Sequence, residues 1–297
     1  MKIIDKSVYT FSKDNAPIQR AEVGEELLFC SMDCFSGNVK SEDFKPRDLD
    51  LSAVNPAAGP VYMEGAMPGD VLRVDILDIE TGTSGVSGTV KGLGPLSENI
   101  ETRMRIMPIK DGYVHFKDAV WPADPMVGVI GTAPAEGSIA CGHAGMHGGN
   151  MDSNLIKKGA RVYFPVRVEG ALLQMGDVHA TMGNGEISGT GVETAGKIKV
   201  NTALIKNFEL NWPVTETEGW WYVNVTAKEY EEALILAGNE MCRLMKSVYG
   251  WDETDIFIYL SVQGSVEINQ GIKPDSSDMF NLRLGIPKNP GKAALIG

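Results

Sequence analysis

The sequence predicts a mainly β protein of the α+β class, with a helical portion near its C-terminus. Three observations support this fold class. The 297 residues include 34 glycines, more than average usage gives, which indicates many tight turns. Most of residues 1–226 consists of short alternating or apolar segments between Gly, Pro and Asn/Asp turns, as strands do. Strong helical periodicity is confined to two segments that follow.

The clearest strand signals lie in the first two thirds of the chain. Leu27 to Phe35 is apolar and aromatic, and Val71 to Ile76 alternates apolar with polar residues, as a half-buried strand does. Met104 to Phe116 contains the Asp-Gly turn of a hairpin. Arg161 to Val168 alternates again, and its internal proline, Pro165, predicts an edge strand or a bulge.

Glycine content predicts a surface loop where apolar residues are few. Thr81 to Gly94 is such a stretch, and we expect a long loop there. Gly137 to Asp152 is also glycine-rich, but its glycines are interleaved with histidine, asparagine and aspartate. That composition is typical of a loop that passes close to a ligand.

The helices are predicted near the C-terminus. Between Lys228 and Tyr249 apolar residues recur at steps of three and four, and Gly250 supplies a stop signal. Asp252 to Leu260 begins with capping residues and predicts a shorter helix, and an extended piece runs from Val266 to Leu284. Without a repeat or linker, we expect one domain over residues 1–297, or two closely packed β lobes (about 1–135 and 136–297).

Charge and composition exclude several classes of partner. With 27 Lys+Arg against 39 Asp+Glu, the net charge is -12, which disfavours nucleic acid and anionic membranes. The first 15 residues contain no apolar run of signal-peptide length, and no segment approaches a membrane span. The four cysteines form no Cys-x-x-Cys pair. These features predict a cytoplasmic protein with reduced thiols.

Candidate chemistry is concentrated in the middle of the chain. Asp177 and His179 are two residues apart, so on a strand they point to the same face. Such a pair can bind Zn²⁺, or the carboxylate can orient the imidazole, or the two can form a structural hydrogen bond. Glu186 follows the turn Gly183-Asn184-Gly185, and Glu193 follows a second glycine-rich turn.

Two other histidines and one cysteine are further candidates. His143 and His147 are four apart, a metal-pair spacing on a helix, but the glycines around them disfavour a helix. They fit a loop near a ligand better, with Asn150 and Asp152 as polar contacts. Cys34 has an adjacent acid and a following turn, so it is either a nucleophile or a buried core thiol. The sequence contains no Gly-x-Ser-x-Gly, His-Glu-x-x-His, Walker or Rossmann motif.

These segments resemble the acetamidase/formamidase family along nearly the whole chain. The matching motifs include Asp33-Cys34-Phe35-Ser36-Gly37, Gly148-Gly149-Asn150-Met151-Asp152, Gly176-Asp177-Val178-His179-Ala180, Gly183-Asn184-Gly185-Glu186 and Gly189-Thr190-Gly191-Val192-Glu193. The resemblance implies jelly-roll or barrel-like β lobes, a homodimer or larger homo-oligomer, and hydrolysis of formamide or acetamide. It also implies a divalent metal, zinc or calcium. Asn184 departs from the aspartate usual in the family's turn, which would weaken metal binding if that aspartate were a ligand.

The resemblance, taken with the residues, assigns roles to the candidates. Asp177, His179 and Glu193 are the expected metal ligands, with Asp33 a further candidate from an earlier strand. The expected reaction is attack on a small amide by a water that the metal activates, with Glu186 as general base. Asn150 would donate to the oxyanion, and Asp152 would accept from the amide NH₂. Two alternatives remain open: a metal-stabilised β module that binds a small ligand without catalysis, and a metal-dependent hydrolase of another small C–N bond.

Overall fold

Strands dominate the computed structural model, which describes residues 1–45, 53–273 and 279–297. With 43% of residues in strands and 12% in helices, the predicted class is confirmed: mainly β, with a helical C-terminal portion. The strands of the first half are β1 (Lys2–Ile4), β2 (Ser7–Val8), β3 (Thr10–Ser12), β4 (Gln19–Ala21), β5 (Leu27–Ser31), β6 (Ala57–Met63), β7 (Val71–Thr81), β8 (Ser84–Thr89), β9 (Arg103–Lys110), β10 (Tyr113–Phe116), β11 (Ala119–Pro122) and β12 (Met126–Gly131). Those of the second half are β13 (Ser138–Ala140), β14 (Ala144–Gly145), β15 (Gly148–Asn150), β16 (Arg161–Pro165), β17 (Leu173–His179), β18 (Glu193–Thr194), β19 (Gly196–Ile205), β20 (Val214–Glu216), β21 (Trp220–Ala227), β22 (Ser265–Gln270) and β23 (Phe280–Pro287).

Two large sheets pack against each other. One has the order β1-β5-β19-β7-β16-β20-β21-β23-β22, and the other runs β11-β10-β9-β8-β18-β17-β12-β15-β14, with β6 pairing β17, β2 and β4. A small sheet pairs β3 with β13. The main core takes buried side chains from both large sheets, such as Phe29 and Ile198 from the first and Val127 and Met175 from the second. Burial of these apolar faces stabilises the sandwich.

Each large sheet contains strands from before and after residue 135. The sheets therefore do not follow a division into lobes at 1–135 and 136–297, and that division stays a prediction. The interleaving has a consequence for the site, because strands distant in sequence lie side by side at the centre of the second sheet.

Two local predictions were wrong. Thr81 to Gly94 is not a loop throughout, because it contains β8, which pairs with β9 and β18. Two glycines of β8 allow close packing: a Cβ at Gly85 would lie 2.6 Å from Val192, and one at Gly88 would lie 2.5 Å from Met104. Pro165 does not mark an edge strand, since β16 lies between β7 and β20. The proline is instead the last residue of β16, beyond its pairing with β20.

The helical portion agrees with the periodicity. α1 (Tyr230–Tyr249) ends at Gly250 in the left-handed conformation, and α2 (Glu253–Gln263) begins at Asp252, whose side chain accepts the N–H of Asp255. α1 packs on β21 and β23 over a second apolar core. The predicted extended piece is a hairpin of β22 and β23, and its residues 274–278 lie outside the described residues. Within the described ranges, neither helix is long and apolar enough to cross a membrane.

Candidate active site

The candidate site begins on β17, near the centre of the second sheet. β17 carries Asp177 and His179, and β18 places Glu193 directly opposite His179. The Nε2 atom of His179 lies 3.0 Å from Oε2 of Glu193 and 3.5 Å from Oδ2 of Asp177. Asp177 and His179 therefore lie close together, as their spacing predicts, and the pairing of β18 with β17 adds Glu193. All three are buried, at most 2% exposed.

Asp152 and Glu186 join the cluster from two loops. Oδ1 of Asp152 is 3.9 Å from Nε2 of His179. The side-chain amide of Gln270, at the end of β22, donates to Oδ2 of Asp152 at 3.0 Å and to Oε2 of Glu186 at 2.9 Å. Gln270 thus ties the C-terminal hairpin to two predicted catalytic residues, a role that no sequence motif indicated.

Backbone conformation is unusual at three of the acidic residues. Asp152, Asp177 and Glu186 have φ values of 44°, 56° and 42°, in the left-handed region that side-chain-bearing residues rarely adopt. Such conformations persist only where the surroundings enforce them, and they are common at functional sites. Gly128 provides room for two of the carboxylates, because a Cβ there would lie 2.5 Å from Oδ2 of Asp177 and 2.6 Å from Oδ1 of Asp152.

Asn150 lies at the edge of this cluster and is held by two asparagines. The side-chain amide of Asn55 donates to Oδ1 of Asn150 at 3.3 Å and to Oδ2 of Asp177 at 3.2 Å. The amide of Asn281 on β23 donates to the backbone carbonyls of Asn150 and Met151. Because its oxygen is engaged by Asn55, the NH₂ group of Asn150 is the part that remains for a ligand.

The buried charges perturb one another strongly. Burial raises the pKa of Glu193 to about 8, although the charge of His179 opposes the shift. Burial also raises the pKa values of Asp152 and Glu186. Burial alone would lower the pKa of His179, but Glu193 and Asp177 outweigh it and raise that pKa well above its usual value. Carboxyl groups that titrate near neutral pH are suited to proton transfer.

The donor set fits a divalent ion. In the described part of the chain, no lysine or arginine forms an ion pair with Asp152, Asp177, Glu186 or Glu193. Oδ1 of Asp152 and Oδ1 of Asp177 are buried and accept no hydrogen bond within the described residues. Leaving buried carboxylate oxygens without a partner is costly, and a cation between them would remove the cost. Two groups of ligand atoms, each within 4.8 Å of one another, come from Asp152, His179 and Glu186 and from Cys34, Asp177 and Glu193.

Asp33, the further ligand candidate, lies beside this cluster and has another task. Its Oδ1 atom accepts the backbone N–H groups of Phe35 at 2.9 Å and Gly37 at 3.0 Å, which closes the turn after β5. Asp33 is not in either group of converging ligand atoms, whereas the next residue, Cys34, is. Burial, with Glu193 and Asp177 nearby, raises the pKa of the Cys34 thiol well above its usual value, which disfavours a nucleophilic thiolate.

His143, His147 and Asn184 are outside these two groups of ligand atoms. His147 is buried with its ring edge against Phe11, and burial lowers its pKa to about 4, so it is neutral near pH 7. Neither ring nitrogen of His147 has a hydrogen-bond partner among the described residues. The side-chain oxygen of Asn184 accepts from Arg283 at 2.9 Å. This contact with Arg283 disfavours Asn184 as a metal ligand, and the effect of asparagine at this position on metal binding stays a prediction.

A cavity elsewhere on the surface lacks this chemistry. It has a volume of about 920 Å³ and lies between α1 and α2, lined by apolar side chains such as Leu234, Ile235 and Phe257. Most charged residues on its wall form ion pairs, Lys246 with Glu253 and Arg243 with Glu240, and Glu231 is a further carboxylate there. Because no histidine and no group of converging carboxylates is found there among the described residues, the buried cluster is the better candidate for catalysis.

Known proteins are similar to most of this chain in sequence. The Acetamidase/Formamidase family profile matches residues 8–144 and 141–250. The chain belongs to the acetamidase/formamidase family. It is 30% identical over 251 residues to the formamidase of Methylophilus methylotrophus, an alignment that covers 64% of this chain and 62% of that protein. The chain therefore spans about three fifths of the curated relatives that it matches.

Solved structures of this family have the same fold. The crystal structure of a recombinant predicted acetamidase/formamidase from Thermoanaerobacter tengcongensis superposes with a TM-score of 0.92 at 41% identity, covering 96% of this chain and 95% of that one. The acetamidase of Bacillus halodurans superposes with a TM-score of 0.91 at 33% identity, covering 96% and 97%. These matches place the cluster within a fold shared across the family.

Proposed function

We propose that this chain hydrolyses small neutral amides, such as formamide and acetamide, to a carboxylate and ammonia. The observation that carries the proposal is the buried cluster of four carboxylates around His179, with which no lysine or arginine of the described residues forms an ion pair. Family membership supports the reaction class, since formamidases and acetamidases are among the relatives. The roles below are those that the contacts favour.

A divalent ion fits between Asp177, His179 and Glu193, whose facing atoms lie 3.0 and 3.5 Å from the imidazole Nε2. Bound there, it would polarise the amide carbonyl and lower the pKa of a water molecule. Both effects assist the hydrolysis of an amide, because its carbonyl is a poor electrophile. We keep Asp33 out of this ligand set because its carboxylate holds the turn after β5.

Glu186 is the proposed proton carrier. Burial raises its pKa above the ordinary value of a glutamate, which suits a group that takes a proton from the attacking water and returns it to the leaving nitrogen. The amide of Gln270 donates to Oε2 of this carboxylate at 2.9 Å, which fixes its position. Asn150 would donate to the carbonyl oxygen through the NH₂ group that Asn55 leaves unused.

Asp152 is proposed to recognise the amide nitrogen. One of its oxygens accepts from Gln270, and the other accepts no hydrogen bond within the described chain, so it can receive an N–H of the substrate. An acid or phosphate substrate is disfavoured, because these carboxylates would repel it and no lysine or arginine pairs with them in the described residues. The burial of every cluster residue, at most 7% exposed, favours a small substrate.

The direct test is ammonia release from formamide, acetamide, propionamide and isobutyramide by metal-replete protein, with metal content measured on the same sample. We expect release to fall sharply as the acyl chain lengthens, and chelator-treated protein to release none. If metal-replete protein releases no ammonia from any of the four, the amide assignment is wrong. If the same sample contains metal, the alternative of a metal-stabilised β module that binds a small ligand without catalysis would then be favoured.

A further inference from the structure

Cys34 reaches the buried cluster because of the turn that follows β5. The carboxylate of Asp33 accepts two backbone N–H groups in this turn, so its side chain is directed to its own backbone. The carbonyl of Cys34 accepts the N–H of Asn55 at 2.8 Å, which anchors the turn to the segment before β6. The residue whose side chain reaches the cluster is therefore Cys34, only 6% exposed.

The side chains around Cys34 converge as the ligands of one ion do. Its Sγ atom lies with one carboxylate oxygen each of Asp177 and Glu193, all within 4.8 Å of one another. In a tetrahedral zinc site a sulfur and an oxygen ligand are about 3.6 Å apart, since Zn–S is about 2.3 Å and Zn–O about 2.1 Å. The three atoms would have to move together by roughly 1 Å at most to bind one ion.

Neither alternative role explains this position as well. A core thiol would need only apolar neighbours, and Cys34 does pack against Phe35, Val39 and Met104 on one side. Its sulfur nevertheless belongs to a group with two buried carboxylates, Asp177 and Glu193, each of which has an oxygen without any hydrogen bond in the described chain. A nucleophile would need to be a thiolate, which two adjacent carboxylates oppose unless a cation lies between them.

We propose that Cys34 is a thiolate ligand of the ion held by Asp177, Glu193 and His179, and that it makes this a zinc site rather than a calcium site. The inference rests on the proposed metal site and names the ion that the site prefers. Calcium takes oxygen ligands only, whereas zinc accepts sulfur, imidazole nitrogen and carboxylate together. With Cys34 included, the four side chains offer all three of these ligand types.

The test replaces the native ion with Co²⁺ and records the near-ultraviolet absorption for a thiolate-to-cobalt charge-transfer band. We expect the band in wild type, in Cys242→Ser and in a variant that keeps Cys34 as its sole cysteine. Cys34→Ser should bind cobalt without the band. In competition experiments, Cys34→Ser should lose at least roughly tenfold of the preference for Zn²⁺ over Ca²⁺, since even indirect contacts to a metal are worth that much.

The outcomes separate this inference from the proposed function. If wild-type protein binds Co²⁺ without the band, or if Cys34→Ser keeps it, Cys34 is not a ligand, and the amidase proposal stands with oxygen and nitrogen ligands alone. If wild-type protein binds neither Co²⁺ nor Zn²⁺, the proposed metal site fails as well. Should Cys34→Ser not fold, the wild-type and sole-cysteine spectra still decide.

Discussion

Glu240 and Glu193 are both buried glutamates, 4% and 2% exposed, but the partners of their carboxylates differ. Glu240 on α1 accepts two hydrogen bonds from Arg243, at 3.0 and 2.8 Å, and two from Asn211, at 2.9 and 2.8 Å. Burial would raise its pKa, but these bonds outweigh burial and hold the pKa below its ordinary value. Among the described residues Glu193 has no lysine or arginine partner: it accepts the backbone N–H of Gly191 at 2.7 Å and lies 3.0 Å from the imidazole of His179, and burial raises its pKa to about 8.

Other buried carboxylates of this chain are paired with lysine or arginine, as Glu240 is with Arg243. Glu216 is a second example, with Lys288 at 2.7 Å and Arg161 at 3.4 Å. The cluster around His179 has four buried carboxylates and no such partner within the described residues. Because unpaired buried charge destabilises a fold, its retention points to an ion that neutralises the cluster.

The largest effect is expected from Glu186→Gln, compared with Glu240→Gln. Glutamine at 186 keeps the shape and can still accept from Gln270, but it cannot carry a proton. Turnover should fall by about 10²- to 10⁴-fold with metal content unchanged, whereas Glu240→Gln should leave turnover per folded molecule intact. Steady-state kinetics and metal analysis on the same preparations measure both. Loss of metal would instead make Glu186 a ligand and Glu193 the better base, and unchanged turnover would leave Glu186 as a turn residue.

A smaller effect distinguishes the two carboxylates in stability. In chelator-treated protein, Glu240→Gln should lower the free energy of unfolding by about 1–3 kcal/mol, because it weakens charge-assisted hydrogen bonds to Arg243. Glu193→Gln should destabilise the metal-free protein less than Glu240→Gln does, because Glu193 has no lysine or arginine partner among the described residues and the amide oxygen at 193 can still accept the backbone N–H of Gly191. Urea denaturation measures both values. If Glu193→Gln destabilises the protein as much as Glu240→Gln does, the comparison fails.

The smallest effect is a pH dependence of the metal-free protein. The folded-state pKa of Glu193 is raised from 4.5 to about 8, so its contribution to stability is present below pH 4.5 and is lost as pH rises to about 8. Glu240 acts in the opposite sense, because its folded-state pKa is lowered. Its contribution to stability is present above the ordinary pKa of a glutamate, 4.5, and is lost as the pH falls below that value. We expect Tm of metal-free protein to decline by a few degrees between pH 5 and 8, and the decline to be smaller in Glu193→Gln. An equal decline in both proteins would assign the effect to other groups.

The strands and helices were readable from sequence wherever local pattern decides structure. The Asp111-Gly112 hairpin, α1 with its stop at Gly250, and α2 with its cap at Asp252 all formed as predicted. The prediction of a loop over Thr81 to Gly94 was wrong because glycine occurs both in turns and at closely packed positions of strands. Gly85 and Gly88 lie in β8 to admit side chains from neighbouring strands, a tertiary cause that composition does not reveal.

The candidate site divides in the same way. The Asp-x-His spacing on β17 placed Asp177 and His179 together, because alternation along a strand is local. The contacts of Gln270 could not be foreseen, since they cross from the C-terminal hairpin to two loops more than 80 residues earlier in sequence. Asp33 and Cys34 are adjacent, so the sequence does not show which of them reaches the cluster. In the structure the carboxylate of Asp33 accepts two backbone N–H groups of the turn after β5, which leaves Cys34 as the residue that reaches the cluster.

The central claim is that the cluster around His179 holds a divalent ion. The most direct measurement is the metal content of the double variant Asp177→Ala with His179→Ala, determined beside wild type and Glu240→Gln purified in the same way. We predict a bound divalent ion in wild type and in Glu240→Gln, and none in the double variant, whose fold is checked by circular dichroism. Full occupancy in a folded double variant would contradict the claim and move the site elsewhere, most directly towards His143 and His147.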